Sequence, residues 1–531
     1  MIEGISRRSF LGATAGSIAS AAAVSAGIAH AQDTEAIVTV DDYSFSLNTI
    51  PSFVNPPAPV ADADLIATYD YDIVIVGAGT AGLGAATAAH QFGAKTAVVQ
   101  KQSMGVAQGN GGSGVDLEAS DPAAIEMLIN IHIAANAYRP LRKLVRTWVD
   151  YSAKAWNALA DFTKDLAFPI EISRPVERAY AEDRIAHTFH AAPKGSNFAG
   201  ATPGYYDAFA EAGIDVYYET PAEQLVQNEA GAVTGVICKT ADGYVKFNAA
   251  KGVILTAGDY QNDQEMVDYF LPDMSNCVRK QSGKTGDGIK MGLWAGGVIE
   301  PVGHSKMSHD FGSGPLASEP TLIVNSNGDR FCCEGIHLSL MQNLSRFENP
   351  CGTWFQIFDS NYQEYLESWG SSAPSPEELA PYNPESDEYR GRGHVYSADT
   401  LEELAAKMGI SDVENFVAQV ARYNEIVAQG VDIDFGKDPA YLTPVDTAPF
   451  YGIVRNTGIT AILSGLLTDE QQRVVNADGM PIPGLYAAGN NAGGFFGAID
   501  YPFVGEYIDA ISIGRAVTGG YAAVAYATGN E

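Results

Sequence analysis

The first residues in this chain able to do chemistry are glycines. Gly77-Ala78-Gly79-Thr80-Ala81-Gly82 has the spacing G-x-G-x-x-G. It follows the β-branched run Tyr71-Asp72-Ile73-Val74-Ile75-Val76 and opens a small-residue stretch that reaches about Phe92. In a strand–loop–helix unit such glycines bring main-chain amides against a pyrophosphate. Gly77 permits the tight turn, Gly79 lets the backbone approach the ligand, and Gly82 lets helix and strand lie close. Thr80 and Ala81 begin the helix, whose N-terminal N–H groups face the phosphates. A second strand, Lys95 to Val99, follows on schedule. An acid at its end binds ribose hydroxyls in dinucleotide sites; here Gln100 stands there, then Lys101. An amide still bonds a hydroxyl as donor or acceptor.

Three further glycine segments point to a flavin rather than a nicotinamide. Gln108-Gly109-Asn110-Gly111-Gly112-Ser113-Gly114 follows the second strand. Gly252-Val253-Ile254-Leu255-Thr256-Ala257-Gly258-Asp259 is a strand entering a turn, and Gly484-Leu485-Tyr486-Ala487-Ala488-Gly489-Asn490 repeats that pattern near the C-terminus. Glycines recur in this way where backbone must run along a long cofactor. The expected cofactor is FAD, held non-covalently, since no histidine stands in position to be linked to it. Asn110 to Gly114, Ala257, Gly258, Gly489 and Asn490 are expected to border it.

These turns need a large α/β scaffold, and the composition allows one. The chain has 531 residues, 46% hydrophobic and 18% charged, enough for two or three domains with a sizeable core. The net charge of −32 argues against nucleic acid, whose phosphates need lysine and arginine to displace counterions. The five cysteines include no C-x-x-C pair, so neither a metal or haem motif nor a disulfide framework is expected. Arg7-Arg8 precede a weakly apolar run from about Leu11 to Ala29, and Ala29-His30-Ala31 has small residues where a signal peptidase reads. Residues 1–31 therefore read as a twin-arginine export signal, too poor in leucine and isoleucine to anchor in a membrane. Export would place the protein in the periplasm or on the outer face of the cell envelope. Residues 32–70, with Pro51, Pro56, Pro57 and Pro59, read as an irregular leader.

The chain from about Tyr71 onward carries more motifs: Thr285-Gly286-Asp287-Gly288, Val324-Asn325-Ser326-Asn327-Gly328-Asp329-Arg330-Phe331, Arg422-Tyr423-Asn424, Asp434-Phe435-Gly436 and Pro449-Phe450-Tyr451. With the glycine turns, they resemble the flavoprotein family of fumarate reductases, succinate dehydrogenase flavoprotein subunits and 3-ketosteroid dehydrogenases. The resemblance implies an α/β fold with a Rossmann-like, doubly wound FAD-binding domain in two sequence pieces, 71–303 and 465–531. An α+β capping domain, 304–464, would be inserted between them, and Asp287 would join the cofactor site. The active site would lie where the cap closes over the flavin ring.

The branches of this family differ in how they hold substrate. The fumarate branch grips a dicarboxylate with arginine and histidine and protonates it through an arginine. Eight residues before Asn325 that arginine is replaced by Ala317, Thr460 to Gly465 has no histidine, and Asp500 to Gly505 has no arginine. Burying a carboxylate without a cation is costly. The ketosteroid branch places a tyrosine four residues before a glycine in that last stretch, and Tyr501 and Gly505 reproduce the spacing. The resemblance thus implies hydride transfer between flavin N5 and a C=C bond conjugated to a carbonyl, on an apolar or steroid-like substrate. Tyr501 and the Gly505 amide would hold the carbonyl oxygen. His309, or else His304, stands where relatives carry a substrate-facing histidine. The same chemistry run in reverse, a dicarboxylate reductase, and a flavin carrier without turnover are the alternatives. A reductase of this kind needs a separate electron partner, a cytochrome or another flavoprotein. His187 and His190 share a possible helix face but lack a third ligand, so no metal site is expected. Tyr205-Tyr206 and Phe495-Phe496 read as core.

Overall fold

The computed structural model describes residues 37–40, 43–46, 51–173, 176–181, 184–301, 303–310, 314–336, 338–391, 393–497, 500–501 and 508–530. The export signal and Gly505 lie outside these residues. The first part of the chain comprises β1 (Ile37–Val40), β2 (Tyr43–Ser46), β3 (Leu65–Val76), α1 (Thr80–Gln91), β4 (Thr96–Val99), β5 (Gly112–Asp116), α2 (Pro122–Ala135) and α3 (Arg142–Thr163). Next come β6 (Ile170–Ile172), β7 (Val176–Ala181), β8 (Arg184–Pro193), α4 (Phe198–Glu211), β9 (Asp215–Tyr217), β10 (Ala222–Gln227), β11 (Val233–Lys239), β12 (Tyr244–Leu255), α5 (Gln264–Phe270) and α6 (Asp287–Trp294). The middle part holds β13 (Lys306–Asp310), β14 (Leu322–Val324), α7 (Leu338–Leu344), β15 (Thr353–Phe358), α8 (Tyr362–Ser368), α9 (Pro376–Leu379), β16 (Val395–Ala398), α10 (Leu401–Met408), α11 (Val413–Gln429) and β17 (Phe450–Ile462). The chain ends with β18 (Arg473–Val475), β19 (Pro481–Ala487) and α12 (Ile511–Thr528).

The largest sheet has the order β10-β11-β12-β3-β4-β9, with β19 also on β12 and β18 on β19. Strands β12, β3, β4 and β9 run parallel, and β19 joins parallel to the end of β12. Ile73, Val74, Ile75, Val98, Val253, Ile254 and Leu255 are wholly buried, as strands covered on both faces require. Helices α1, α3, α4 and α12 cover one face with alanine, tyrosine and tryptophan. α12 comes from the far end of the sequence, so the dinucleotide fold is assembled from two chain pieces. The inserted piece forms a second sheet, β13-β17-β15-β14 with β16 on β17, which carries the cap helices. A third sheet, β5-β8-β6 with β7 on β8, stands beside the first.

Three local expectations need correcting. The leader is not irregular throughout: β1 and β2 pair antiparallel, and β3 starts at Leu65 because Leu65 to Asp70 pair with β12. His187 and His190 lie on strand β8, not a helix, and an odd separation on a strand points side chains to opposite faces. Cys277 and Cys351 form a disulfide across a separation of 74 residues. Tyr205, Tyr206, Phe495 and Phe496 are core residues.

Candidate active site and cofactor cleft

One cleft of about 1020 Å³ runs from the main sheet to the cap. At one end it is bordered by the turn after β3. Gly77 has φ +112°, and a Cβ there would stand 2.7 Å from Ala257 Cα, so only glycine fits between the two turns. Helix α1 opens at Gly79 without a side-chain cap, which leaves its first amides to a ligand. Gly77, Gly79, Thr80 and Ala81 line the cleft. Gly82 does not; its Cβ would meet the Gly77 carbonyl at 2.3 Å, so its place is helix packing.

Gln100 and Lys101 border the same region. Gln100 is buried and accepts from the Ala78 amide at 3.2 Å, while its own amide donates to Gln102 and to the Met104 carbonyl. Lys101 donates to Asp287 and Thr285, each at 2.7 Å. Asn110, Gly111, Ala257, Gly258, Asp287, Gly489 and Asn490 also line the cleft. Gly112, Ser113 and Gly114 do not line it. They form β5, where a Cβ on Gly112 or Gly114 would stand 2.3 Å from the rings of Trp156 or Phe189. Those glycines serve close packing behind the cleft wall rather than contact with a ligand.

The residue that unites the pieces is Asp259, which the sequence reading quoted only as the end of a motif. It is fully buried. One carboxylate oxygen accepts from Lys284 at 3.1 Å, and from the Ile462 amide and Asn490 at 3.2 Å each. The other accepts from the Gln261 amide at 3.1 Å. Asn491, also missed, clamps the 257–258 turn, accepting from the Ala257 amide and donating to the Gly258 carbonyl at 2.6 Å each. Arg515 of α12 donates to the Gly489 carbonyl at 2.7 Å and lies over Phe495 and Phe496. Asn491 adjoins a quoted motif and Arg515 adjoins none, and no spacing rule announced either role.

At the cap end the cleft is lined by Met307, Ser308, His309, Asn343, Thr460, Tyr501, Asp509 and Ser512. Tyr501 keeps some surface exposed. Burial, then the charge of Asp509, raises its phenol well above the usual tyrosine range, and the Ser512 amide at the start of α12 opposes that by bonding the phenol oxygen. The phenol is therefore neutral at physiological pH and is equipped to donate a hydrogen bond. His309 is exposed in the cleft on β13. His304 is buried elsewhere. Its ring nitrogens meet the Tyr260 hydroxyl at 2.5 Å and the Glu300 carbonyl at 2.7 Å, and burial lowers it to about 4.

Among the described residues no arginine lines the cleft. The cleft nonetheless holds cations. Lys101, Lys280 and Lys284 line it, the first and last paired with Asp287 and Asp259. Burial, then Lys284, lowers Lys280 below the usual lysine range. No group of His, Cys, Asp and Glu suited to a metal ion occurs among the described residues, and no helix there is long and apolar enough to cross a membrane.

Comparison with known proteins follows the same outline. A vinyl phenol reductase from Lactiplantibacillus plantarum is 28% identical over 474 residues, 81% of this chain and 92% of the relative. A fumarate reductase (cytochrome) from Shewanella frigidimarina is 25% identical over 450 residues, 80% of this chain and 73% of the relative. The solved 3-ketosteroid delta1-dehydrogenase from Sterolibacterium denitrificans shares the fold, with TM-score 0.65 at 20% identity, covering 87% of this chain and 100% of that one. The model of the FAD binding domain family matches residues 72–500, well over half of the chain. The chain belongs to that family, and it is an FAD-dependent oxidoreductase acting on carbon–carbon bonds of the CH–CH type.

Proposed function

We propose that this protein is an exported reductase of a C=C bond conjugated to an oxygen-bearing apolar or aromatic group. The observation that carries the reading is Tyr501. Its neutral phenol faces a cleft bordered by no arginine among the described residues, with the Ser512 amide on its oxygen. The uncapped amides at Gly79 to Ala81 would hold the FAD pyrophosphate, with Asn110, Gly111, Ala257, Gly258, Gly489 and Asn490 along its length and Gln100, Lys101 and Asp287 near its polar parts. The attachment is non-covalent. Bound there in its reduced form, FAD would supply the hydride. Tyr501 donates to the acceptor oxygen as negative charge develops there. His309 relays the proton that completes the product. One donor aimed at a developing oxyanion is commonly worth roughly 10²–10³ in rate. Electrons come from a separate one-electron carrier, a cytochrome or a flavoprotein. The vinyl phenol reductase supports an aromatic substrate by its name and its 92% coverage. Reversed use of the same donors would give a ketosteroid-type dehydrogenase, and the three lysines that line the cleft, Lys101, Lys280 and Lys284, are what favours a carboxylate-bearing acceptor.

The test is anaerobic reoxidation of the photoreduced holoprotein by benzylideneacetone, 4-vinylphenol, cinnamate, androst-4-ene-3,17-dione and fumarate. Benzylideneacetone or 4-vinylphenol should reoxidise it fastest, and Tyr501→Phe should keep its flavin while slowing that step roughly 10²-fold. Rapid turnover of fumarate alone, or an unchanged rate in Tyr501→Phe, would overturn the reading.

A further inference from the structure

Behind Tyr501 and Asn343, four charged side chains from four separate stretches of chain meet. Asp273 sits in the turn Pro272–Met274 of the first FAD-binding piece, and Lys306 begins β13. Arg346 lies in the turn Ser345–Phe347 after α7, and Asp500 precedes Tyr501. Asp273 lies 3.0 Å from Lys306 Nζ and 2.8 Å from Arg346 Nε. Asp500 lies 3.3 Å from Lys306 Nζ and 3.0 Å from an Arg346 terminal nitrogen. Each cation touches both anions, so the square closes with zero net charge. Lys306 is wholly buried, and Arg346 exposes 9% of its side chain.

Main-chain bonds tie this square to the cleft. The Tyr501 amide donates to the Lys306 carbonyl at 2.8 Å, and Lys306 and Asp500 pair as a β-bridge. Arg346 also donates to the carbonyl of Asn343, which lines the cleft, at 2.7 Å. A second observation marks the same seam. The Cys277–Cys351 disulfide joins residues a few positions beyond Asp273 and Arg346, so the same two stretches are also tied covalently. Buried ion pairs commonly add little net stability, because desolvation offsets attraction. What a closed square does supply is a fixed position for the backbone on either side.

We propose that Arg346, acting through Asp500, is a positioning residue that sets where the Tyr501 phenol stands over the cleft. The proposal rests on the reading of Tyr501 as donor to the acceptor oxygen. Neither Arg346 nor Asp500 borders the cleft, so each acts only through its neighbour. Arg346 is suited to this because two nitrogens of its rigid guanidinium lie within 3.0 Å of both carboxylates and of the Asn343 carbonyl.

The experiment is a double-mutant cycle on the full-length, flavin-loaded protein, read as the single-turnover rate of reoxidation by benzylideneacetone. Arg346→Met should slow wild type about tenfold, yet slow the Tyr501→Phe variant less than twofold, because the position being set no longer matters. Arg346→Lys should fall between. If Arg346→Met loses flavin, the isosteric Asp500→Asn carries the same comparison. A rate within twofold of wild type, or equal losses in both backgrounds, overturns the proposal. Failure of Tyr501→Phe itself to slow the reaction strikes the functional reading instead, so the two outcomes are told apart.

Discussion

At the scale of single residues, the site depends on a carboxylate no motif rule named. Asp259 collects Lys284, Asn490 and two backbone amides in a place without water access. Replacing it by alanine leaves those donors buried without their acceptor. Asp259→Ala should cost about 3–5 kcal/mol and release FAD, whereas Asp259→Asn should lose less. Flavin content after gel filtration and a urea titration measure both effects; a flavin-loaded Asp259→Ala protein of unchanged midpoint would contradict the assignment. The contrast with Gly77 shows what a sequence displays at this scale. Gly77 was legible because its backbone geometry excludes other residues. Asp259 and Asn491 act through partners more than two hundred residues away, and no local pattern encodes that. Gly112 and Gly114 show the converse: their spacing resembled a ligand loop, but the close neighbour is a ring of the protein's own core.

At the scale of elements, the strand–turn–helix unit was readable because β3, its turn and α1 are contiguous and their hydrophobic pattern changes where the structure does. The return of α12 to the same core followed only from resemblance. The pairing of Cys277 with Cys351 was invisible, since one cysteine belongs to the first FAD-binding piece and the other to the stretch leading into β15. That bond closes a loop of 74 residues, for which the chain-entropy account gives a stabilisation of up to ~4 kcal/mol. It also spans the seam on which Arg346 and Asp273 meet. Cys277→Ser with Cys351→Ser, or reduction of the folded holoprotein, should therefore lower the thermal midpoint while the flavin spectrum of the unheated protein persists. Scanning calorimetry of oxidised and reduced samples decides it, and coincident midpoints would mean the bond contributes nothing to the seam.

At the scale of the whole molecule, two independent features bear on where the protein works. Arg7-Arg8 and Ala29-His30-Ala31 form the proposed export signal, of the kind a transport machinery reads. The disulfide is chemical: such bonds persist in oxidising compartments and are kept reduced in most cytosols. The twin-arginine route carries chains already folded, which suits a protein whose cofactor cleft is assembled from residues as far apart as Gly77 and Ala516. On this reading the bond forms after transport, once the folded chain has already set Cys277 beside Cys351. Expression in a host with that route should yield an exported product beginning at Gln32 with both thiols blocked. The Arg7→Lys, Arg8→Lys variant should remain inside, flavin-loaded, with both thiols open to alkylation. Cell fractionation followed by mass spectrometry of alkylated peptides reads both halves at once. An exported lysine variant, or a retained one already bridged, would separate the sequence signal from the chemical one and remove the disulfide as support for export.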